Sequence, residues 1–340
     1  MYISLFLSLL AAPFLTNIFT RAVERFEVRV GLVGEDAHKE EGRYLPKSGG
    51  LGFLLGWTAS LILYMAGAKI EGTPISMRYL VVGTVLVWIA GLIGLYDDVK
   101  RLGGKEKVLL TAVPGIIVAT LGLYAPWVYI PVIGNVRMTI VYPLLLPVIF
   151  AVASNAINMA DTFTGIAPGI TMILLSSMMA TIFLLEGRGL SWDGGFDSSI
   201  VLITIALLSL IGYIPRNFHP GKTFNGDTGS LSWGTLLALV AIWGKVEIFL
   251  ALSAMPIVAN GFTILSSIKG IIEHHNLKER PTVPNRERNT IRANLNKEAP
   301  ITLVHILTIT DELCEKEIVI VVYILVAMTS FASLLIAAFL

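Results

Sequence analysis

Four polar groupings carry the residue types that handle phosphate and divalent cations. Asp97 and Asp98 stand side by side where an apolar run from Val81 ends at Tyr96, and Lys100, Arg101, Lys105 and Lys107 follow directly. Adjacent carboxylates can bind a hard cation such as Mg²⁺, accept a proton or cap a following helix, and their mutual repulsion raises one pKa. A solvated loop at a membrane edge also accounts for the pair, because a helix-end charge in water costs little. In the second grouping, Asn155-Ala156-Ile157-Asn158-Met159-Ala160-Asp161-Thr162-Phe163-Thr164-Gly165, the two asparagines are three apart and share a helical face. Their amide oxygens suit the same kind of ion, and helix capping by Asn158 or Asp161 is the plainer alternative.

The third grouping is Phe224-Asn225-Gly226-Asp227-Thr228-Gly229-Ser230, at the start of another apolar segment. Asp227 can ligate a cation or act as an N-cap, the glycines allow close backbone approach, and the helix start offers N–H groups to an anion. The fourth lies in a long polar loop: Glu273-His274-His275-Asn276-Leu277-Lys278-Glu279-Arg280, with Arg286 and Arg288. Imidazoles and guanidinium forks suit a phosphate diester, or the headgroups of anionic lipid.

The elements that position these groups are membrane helices. Hydrophobic residues make up 55% of the chain, charged residues 14%, and mean hydropathy is +0.76. A hydrocarbon core of about 30 Å takes about 20 apolar residues of helix to cross, and such runs recur along nearly the whole chain. The expectation is an all-α membrane protein forming a single polytopic domain over residues 1–340. Its ten spans fall near 2–20, 50–68, 79–96, 108–124, 140–157, 166–185, 198–215, 231–244, 246–268 and 317–340. The short eighth span and the tight turn at Gly244-Lys245 make a merger with the ninth the main risk to that count. Segment 2–20 has no basic residue ahead of it and Arg21, Arg25 and Arg29 behind it, which reads as a retained span rather than a cleaved signal. The single cysteine, Cys314, excludes a disulfide framework.

Loops 21–49, 97–107, 158–165, 216–230 and 269–316 hold 20 of the 25 Lys and Arg residues. By the positive-inside rule they are cytoplasmic, with both termini outside. The outer connection Pro126 to Arg137 alternates around Ile133-Gly134-Asn135 and reads as a short hairpin or an interfacial aromatic anchor. All four polar groupings thus fall on one membrane face. Phosphate, a divalent ion and a membrane surface together point to a reaction between a water-soluble activated donor and a lipid that carries a phosphate.

Over residues 31–285 the chain resembles the polyprenyl-phosphate N-acetylhexosamine-1-phosphate transferases. The resemblance rests on Gly94-Leu95-Tyr96-Asp97-Asp98-Val99, Asn155-Ala156-Ile157-Asn158 and Phe224-Asn225-Gly226-Asp227-Thr228-Gly229-Ser230, in the family's order and at similar spacing. It implies a ten-span fold with a cytoplasmic active-site cleft. The implied reaction transfers a sugar 1-phosphate from a UDP-sugar to a polyprenyl or dolichyl phosphate, releases UMP and depends on Mg²⁺, with Mn²⁺ as a substitute. It also implies roles by position. Asp227 and Asn158 resemble the metal ligands, Asp97 and Asp98 the acidic pair near the lipid phosphate, and Lys107 the lysine that meets the donor's phosphates. Phe224 resembles the residue beside the uracil. Asp36 and Lys39 match the first cytoplasmic loop, and Pro46-Lys47-Ser48-Gly49-Gly50 the entry to the second span.

The chain departs from bacterial members at Thr164, where they carry a second acid, and at Glu273-His274-His275, where they carry a histidine triplet. These departures favour UDP-N-acetylglucosamine over the peptidoglycan precursor UDP-MurNAc-pentapeptide as donor; Thr164, His274, His275 and Arg280 are carried over by position as substrate-binding candidates, on less of a match than the other residues. The expected partners are the two substrates, membrane lipid and a second copy of the chain, with no nucleic acid. Two readings from other classes compete: a transporter of lipid-linked sugars or nucleotides, which calls for ionisable residues at mid-membrane depth, and a non-catalytic scaffold, which leaves the one-sided polar clusters unexplained.

Overall fold

The computed structural model of the chain describes residues 3–36, 43–73, 76–185, 194–268, 270, 279–285 and 287–339. Helix α1 (Ile3–Val30) leads into a hairpin of β1 (Val33–Glu35) and β2 (Tyr44–Pro46), then α2 (Gly50–Glu71) and α3 (Met77–Lys100). Two short helices, α4 (Gly104–Thr111) and α5 (Val113–Thr120), precede the hairpin of β3 (Trp127–Ile130) and β4 (Gly134–Arg137). The chain continues through α6 (Val141–Ala160), α7 (Ile166–Leu184), α8 (Gly195–Asn217), α9 (Gly226–Gly244), α10 (Glu247–Ser253) and α11 (Met255–Ser267). A third hairpin, β5 (Thr282–Asn285) with β6 (Thr290–Ala293), and the short α12 (Leu303–Leu307) lead to α13 (Glu315–Phe339). All three hairpins are antiparallel, and the expected outer one pairs Trp127 with Arg137 and Ile130 with Gly134.

Each of the ten expected spans is helical, but the segments are not equivalent. By length and composition alone, α1, α2, α3, α6, α7, α8 and α13 can cross a membrane, which makes this a multi-pass membrane protein; α10 with α11 adds an eighth. That last pair is bent by 68°, with Pro256 in the first turn of α11. The span expected at 108–124 is instead the α4–α5 pair, broken ahead of Pro114. The span expected at 231–244 starts earlier, at Gly226, so that the Asp227 grouping is its first turn. This helix is less apolar because it is shielded by protein: every residue from Thr228 to Gly244 is buried. It stays separate from α10, ending at Lys245 in the left-handed conformation.

Small residues let the helices close on one another, since in lipid the gain comes from packing rather than from water exclusion. On α2, Gly52 and Gly56 face Thr20 and Thr16 of α1, where an added Cβ would lie 2.4 and 2.3 Å from the threonine Cα atoms. Around α9 are packed α2, α3, α6, α7, α8 and α10. Exposed Phe6, Phe14 and Ile18 on α1, and Val81, Val85 and Leu92 on α3, suit the hydrocarbon outside.

Candidate active site

Four helix ends converge at the start of α9. Asp98, at the end of α3, accepts hydrogen bonds from the backbone N–H of Asp227 (2.9 Å) and Thr228 (3.2 Å), and from the Thr228 hydroxyl (2.8 Å). The residue in the N-cap position, Asn225, makes no side-chain cap. An acid from α3 therefore supplies the cap for α9, satisfying first-turn N–H groups that have no partner within the helix. Gly94 makes the approach possible: a Cβ there would sit 2.2 Å from the Asp227 carbonyl oxygen. Lys47, just ahead of α2, donates its ammonium to the Asp98 carbonyl, and Glu27 of α1 accepts the Ser48 N–H at 3.1 and 3.2 Å.

Asp97 faces the other way. Its Oδ1 accepts the Leu102 N–H, and its Oδ2 lies 2.6 Å from the Nζ of Lys107 in the first turn of α4. The same ammonium lies 2.6 Å from Oδ2 of Asp227. Burial works against the Lys107 charge, but the Asp227 and Asp97 carboxylates outweigh it and hold this lysine above the ordinary range. Asn158, near the end of α6, donates through Nδ2 to Oδ1 of Asp227 and to the Ser230 hydroxyl, both at 2.9 Å. Asp227 is the open member: its side chain is 24% exposed, against 10% for Asp97 and 8% for Lys107. Asn155 does not join the group; it bonds Thr111 and the Ala151 carbonyl, both at 2.8 Å, tying α6 to α4.

Two carboxylates and an amide are the hard oxygen donors that suit Mg²⁺ or Mn²⁺. Among the described residues no three His, Cys, Asp or Glu side chains are grouped to enclose a metal.

The family model for glycosyl transferase family 4 matches residues 80–245, from the first turn of α3 to the cap of α9, so that Asp97, Asp98, Lys107, Asn158 and Asp227 all fall inside it. The chain belongs to glycosyl transferase family 4. Among its relatives is a Bacillus subtilis (strain 168) protein named a probable undecaprenyl-phosphate N-acetylglucosaminyl 1-phosphate transferase. It is 27% identical over 276 residues, covering 79% of this chain and 71% of its own. The phospho-N-acetylmuramoyl-pentapeptide-transferase of Wolinella succinogenes is 30% identical over 242 residues, 66% of each chain. A Sulfolobus acidocaldarius protein, provisionally named a UDP-N-acetylglucosamine–dolichyl-phosphate N-acetylglucosaminephosphotransferase, is 27% identical over 262 residues, 75% of this chain and 76% of its own.

Around the family 4 core, the other expected residues are dispersed. Phe224 is half-buried, its backbone bonded to the Pro46 carbonyl (2.8 Å) and the Gly49 N–H (2.9 Å), and its ring against Gly34. Asp36 is buried in the same hairpin, where its N–H bonds the Arg43 carbonyl at 2.9 Å, and Arg43 in turn donates to the Gly221 carbonyl at 2.8 Å. Thr164 is buried apart from the lysine cluster and donates to Glu315 at 2.9 Å; the other oxygen of Glu315 is 3.4 Å from His219. Arg280 is exposed at the foot of the β5–β6 hairpin, its carbonyl accepting from Asn294 at 2.9 Å. Lys39, His274 and His275 lie outside the described residues.

Sequence reasoning passed over one linkage of this family 4 site. Asn225 donates to both oxygens of Asp161, at 2.8 and 3.0 Å, and its own oxygen accepts from the Tyr213 hydroxyl at 2.8 Å. Burial pushes Asp161 up to about 7, against the lowering effect of the Asn225 bond. The signal was present, since Asp161 and Asn225 both stand in the quoted motifs, but nothing in one motif names its partner in another.

Proposed function

We propose that this protein transfers N-acetylglucosamine 1-phosphate from UDP-N-acetylglucosamine to a polyprenyl or dolichyl phosphate on the cytoplasmic face, releasing UMP. The observation that carries this reading is one ammonium shared by two carboxylates, beside an amide, at a protein surface where α6 ends. Along α6, exposed Val141, Leu144, Val148 and Val152 form an apolar stripe that leads toward Asn158, and Leu109 of α4 is exposed nearby. Such a stripe suits the acceptor's tail, with its phosphate at the polar end. The excess of Lys and Arg in the loops at this end supports a cytoplasmic face here, with both termini outside.

Asp227 and Asn158 would hold Mg²⁺, with Mn²⁺ able to replace it. When bound, the ion neutralises charge on the donor's pyrophosphate. Lys107 supplies a second positive charge at the same place, and positioning with electrostatics is most of what phosphoryl transfer asks of a protein. An oxygen of the lipid phosphate attacks the sugar-bearing phosphorus. The bond to UMP breaks, and UMP leaves with the electron pair. No base is required for a phosphate monoester whose second pKa is about 6. The arrangement supports direct attack over an aspartyl-phosphate intermediate, because Asp98 is occupied in capping α9 and Asp97 in holding Lys107 and the Leu102 N–H.

A second donor, UDP-MurNAc-pentapeptide, is supported by the Wolinella succinogenes relative. Purified protein, Mg²⁺, a polyprenyl phosphate and a panel of UDP-sugars separate the two through UMP release, with UDP-N-acetylglucosamine expected to be fastest. Folded protein that releases no UMP with any donor would overturn the proposal.

A further inference from the structure

Both carboxylate oxygens of Asp227 are engaged in this structure. Its Oδ1 takes the Asn158 amide N–H at 2.9 Å, and its Oδ2 takes the Lys107 ammonium at 2.6 Å. Asn158 presents its NH₂ to Asp227 and Ser230, whereas an amide ligates a cation through its oxygen. A divalent ion on these two residues therefore needs the Asn158 amide to turn over, and it would meet the Lys107 ammonium across the same carboxylate, where the two cations repel.

Lys107 is suited to that exchange. It is a cation placed between Asp97 and Asp227, which would repel if both were charged and nothing screened them. Its charge sits on a flexible four-carbon stem that can move without the backbone, and that stem begins in the first turn of the eight-residue helix α4. A metal on Asp227 would take over the neutralising role and repel the ammonium toward the surface where the donor's phosphates arrive.

We infer that Lys107 is a resident cation: it occupies Asp227 until a divalent ion displaces it, and the displaced ammonium then meets the donor's phosphates. This rests on the proposed metal role of Asp227 and Asn158. It deepens that reading by making metal binding and Lys107 compete for one carboxylate.

The test uses the full-length protein in detergent with Mn²⁺ alone, following free Mn²⁺ by electron paramagnetic resonance. Asp227→Asn should lose binding, and unchanged binding would remove Asp227 from the metal site, which is a failure of the functional reading. Lys107→Met and Lys107→Gln should bind Mn²⁺ about tenfold more tightly than the unaltered protein, within the usual range of coupling between sites, even though they turn over poorly. Lys107→Arg keeps the charge and should bind no more tightly. If Asp227→Asn loses Mn²⁺ while the Met and Gln variants bind equally or more weakly, the metal site stands and the resident-cation inference falls. The unaltered protein gives a second readout that does not depend on a variant folding. Lys107 is buried, and its acylation by an amine-reactive reagent, read by mass spectrometry, should rise when Mg²⁺ is added. Unchanged or reduced labelling overturns the inference.

Discussion

Both ends of α9 bury a lysine against carboxylate, and the two lysines are held in opposite ways. At the start of the helix, Lys107 is shared by Asp97 and Asp227 at 2.6 Å each, with Asp227 open to the surface. At the far end, Lys245 is entirely buried, donates to the Ala125 carbonyl at 2.9 Å and to the Trp127 carbonyl at 2.5 Å, and lies 3.6 Å from Glu247. The Trp127 and Tyr142 rings flank its ammonium at 4.5 and 5.0 Å, and Tyr142 also donates to Glu247. Carbonyls and ring faces are fixed acceptors that nothing from solution replaces, whereas a shared carboxylate can trade one cation for another. The first arrangement suits chemistry and the second suits anchorage, since Lys245 pins the β3–β4 connection to the end of α9.

The largest effect that tests this contrast is at the open end. Asp227→Asn should lower UMP release by about 10²- to 10³-fold or more, comparable to removing a group that stabilises charge in a transition state, with the thermal midpoint little changed. Wild-type turnover in that variant would show that the exchangeable end has no catalytic role. At the closed end, Lys245→Met leaves Glu247 buried without its cation and should cost about 3–5 kcal/mol of stability in detergent denaturation. Turnover per folded molecule should persist, and a selective loss of turnover in stable protein would break the division between the two ends.

Smaller effects sharpen the geometry. Gly94→Ala drives a Cβ to 2.2 Å from the Asp227 carbonyl and should cost about 1–3 kcal/mol by overpacking, with turnover falling beyond the lost stability because Asp227 itself must shift. Equal activity per folded molecule would show that the α3–α9 contact can relax without moving the site. Asp161 has its signature in pH dependence rather than in turnover. Its folded pKa of about 7 lies above its ordinary 3.8, so the folded protein holds a proton that the unfolded chain has given up. This contribution to stability is full below about pH 4, is lost as pH rises toward about 7, and is constant above that. Thermal midpoints measured across that window should fall with rising pH, and Asp161→Asn should flatten the slope; an unchanged slope would assign it to another group.

Much of the fold was legible because membrane crossing is written locally. Of the two readings of the alternation around Ile133-Gly134-Asn135 the structure has the hairpin, and every expected span is helical, two of them as broken pairs. What eluded the reading has physical causes. Helix α9 begins five residues before its expected span because its first turn is polar, and that polarity is tolerated where neighbouring helices, rather than lipid, surround the backbone. The approach of Gly52 and Gly56 on α2 to Thr20 and Thr16 on α1 was not read either, because no single segment names the helix it packs against. In the site, the motifs supplied Asp97, Asp98, Lys107, Asn158 and Asp227 as a set. They did not distinguish the two adjacent acids, which turn to opposite tasks.

The sequence by itself determined that this is a helical membrane protein, it led to the expectation that the acid, amide and basic clusters share one face, and it supplied the order of the motifs. Those properties follow from hydrophobic run length and the placement of charge, which each segment carries alone. Only the tertiary structure decided that Asp98 caps a helix through Asp227, 129 residues later, and that Lys107 reaches Asp227 across 120 residues. Such pairings depend on how closely α3, α4, α6 and α9 approach one another. That approach is set jointly by the side chains of several helices, so no single segment encodes it.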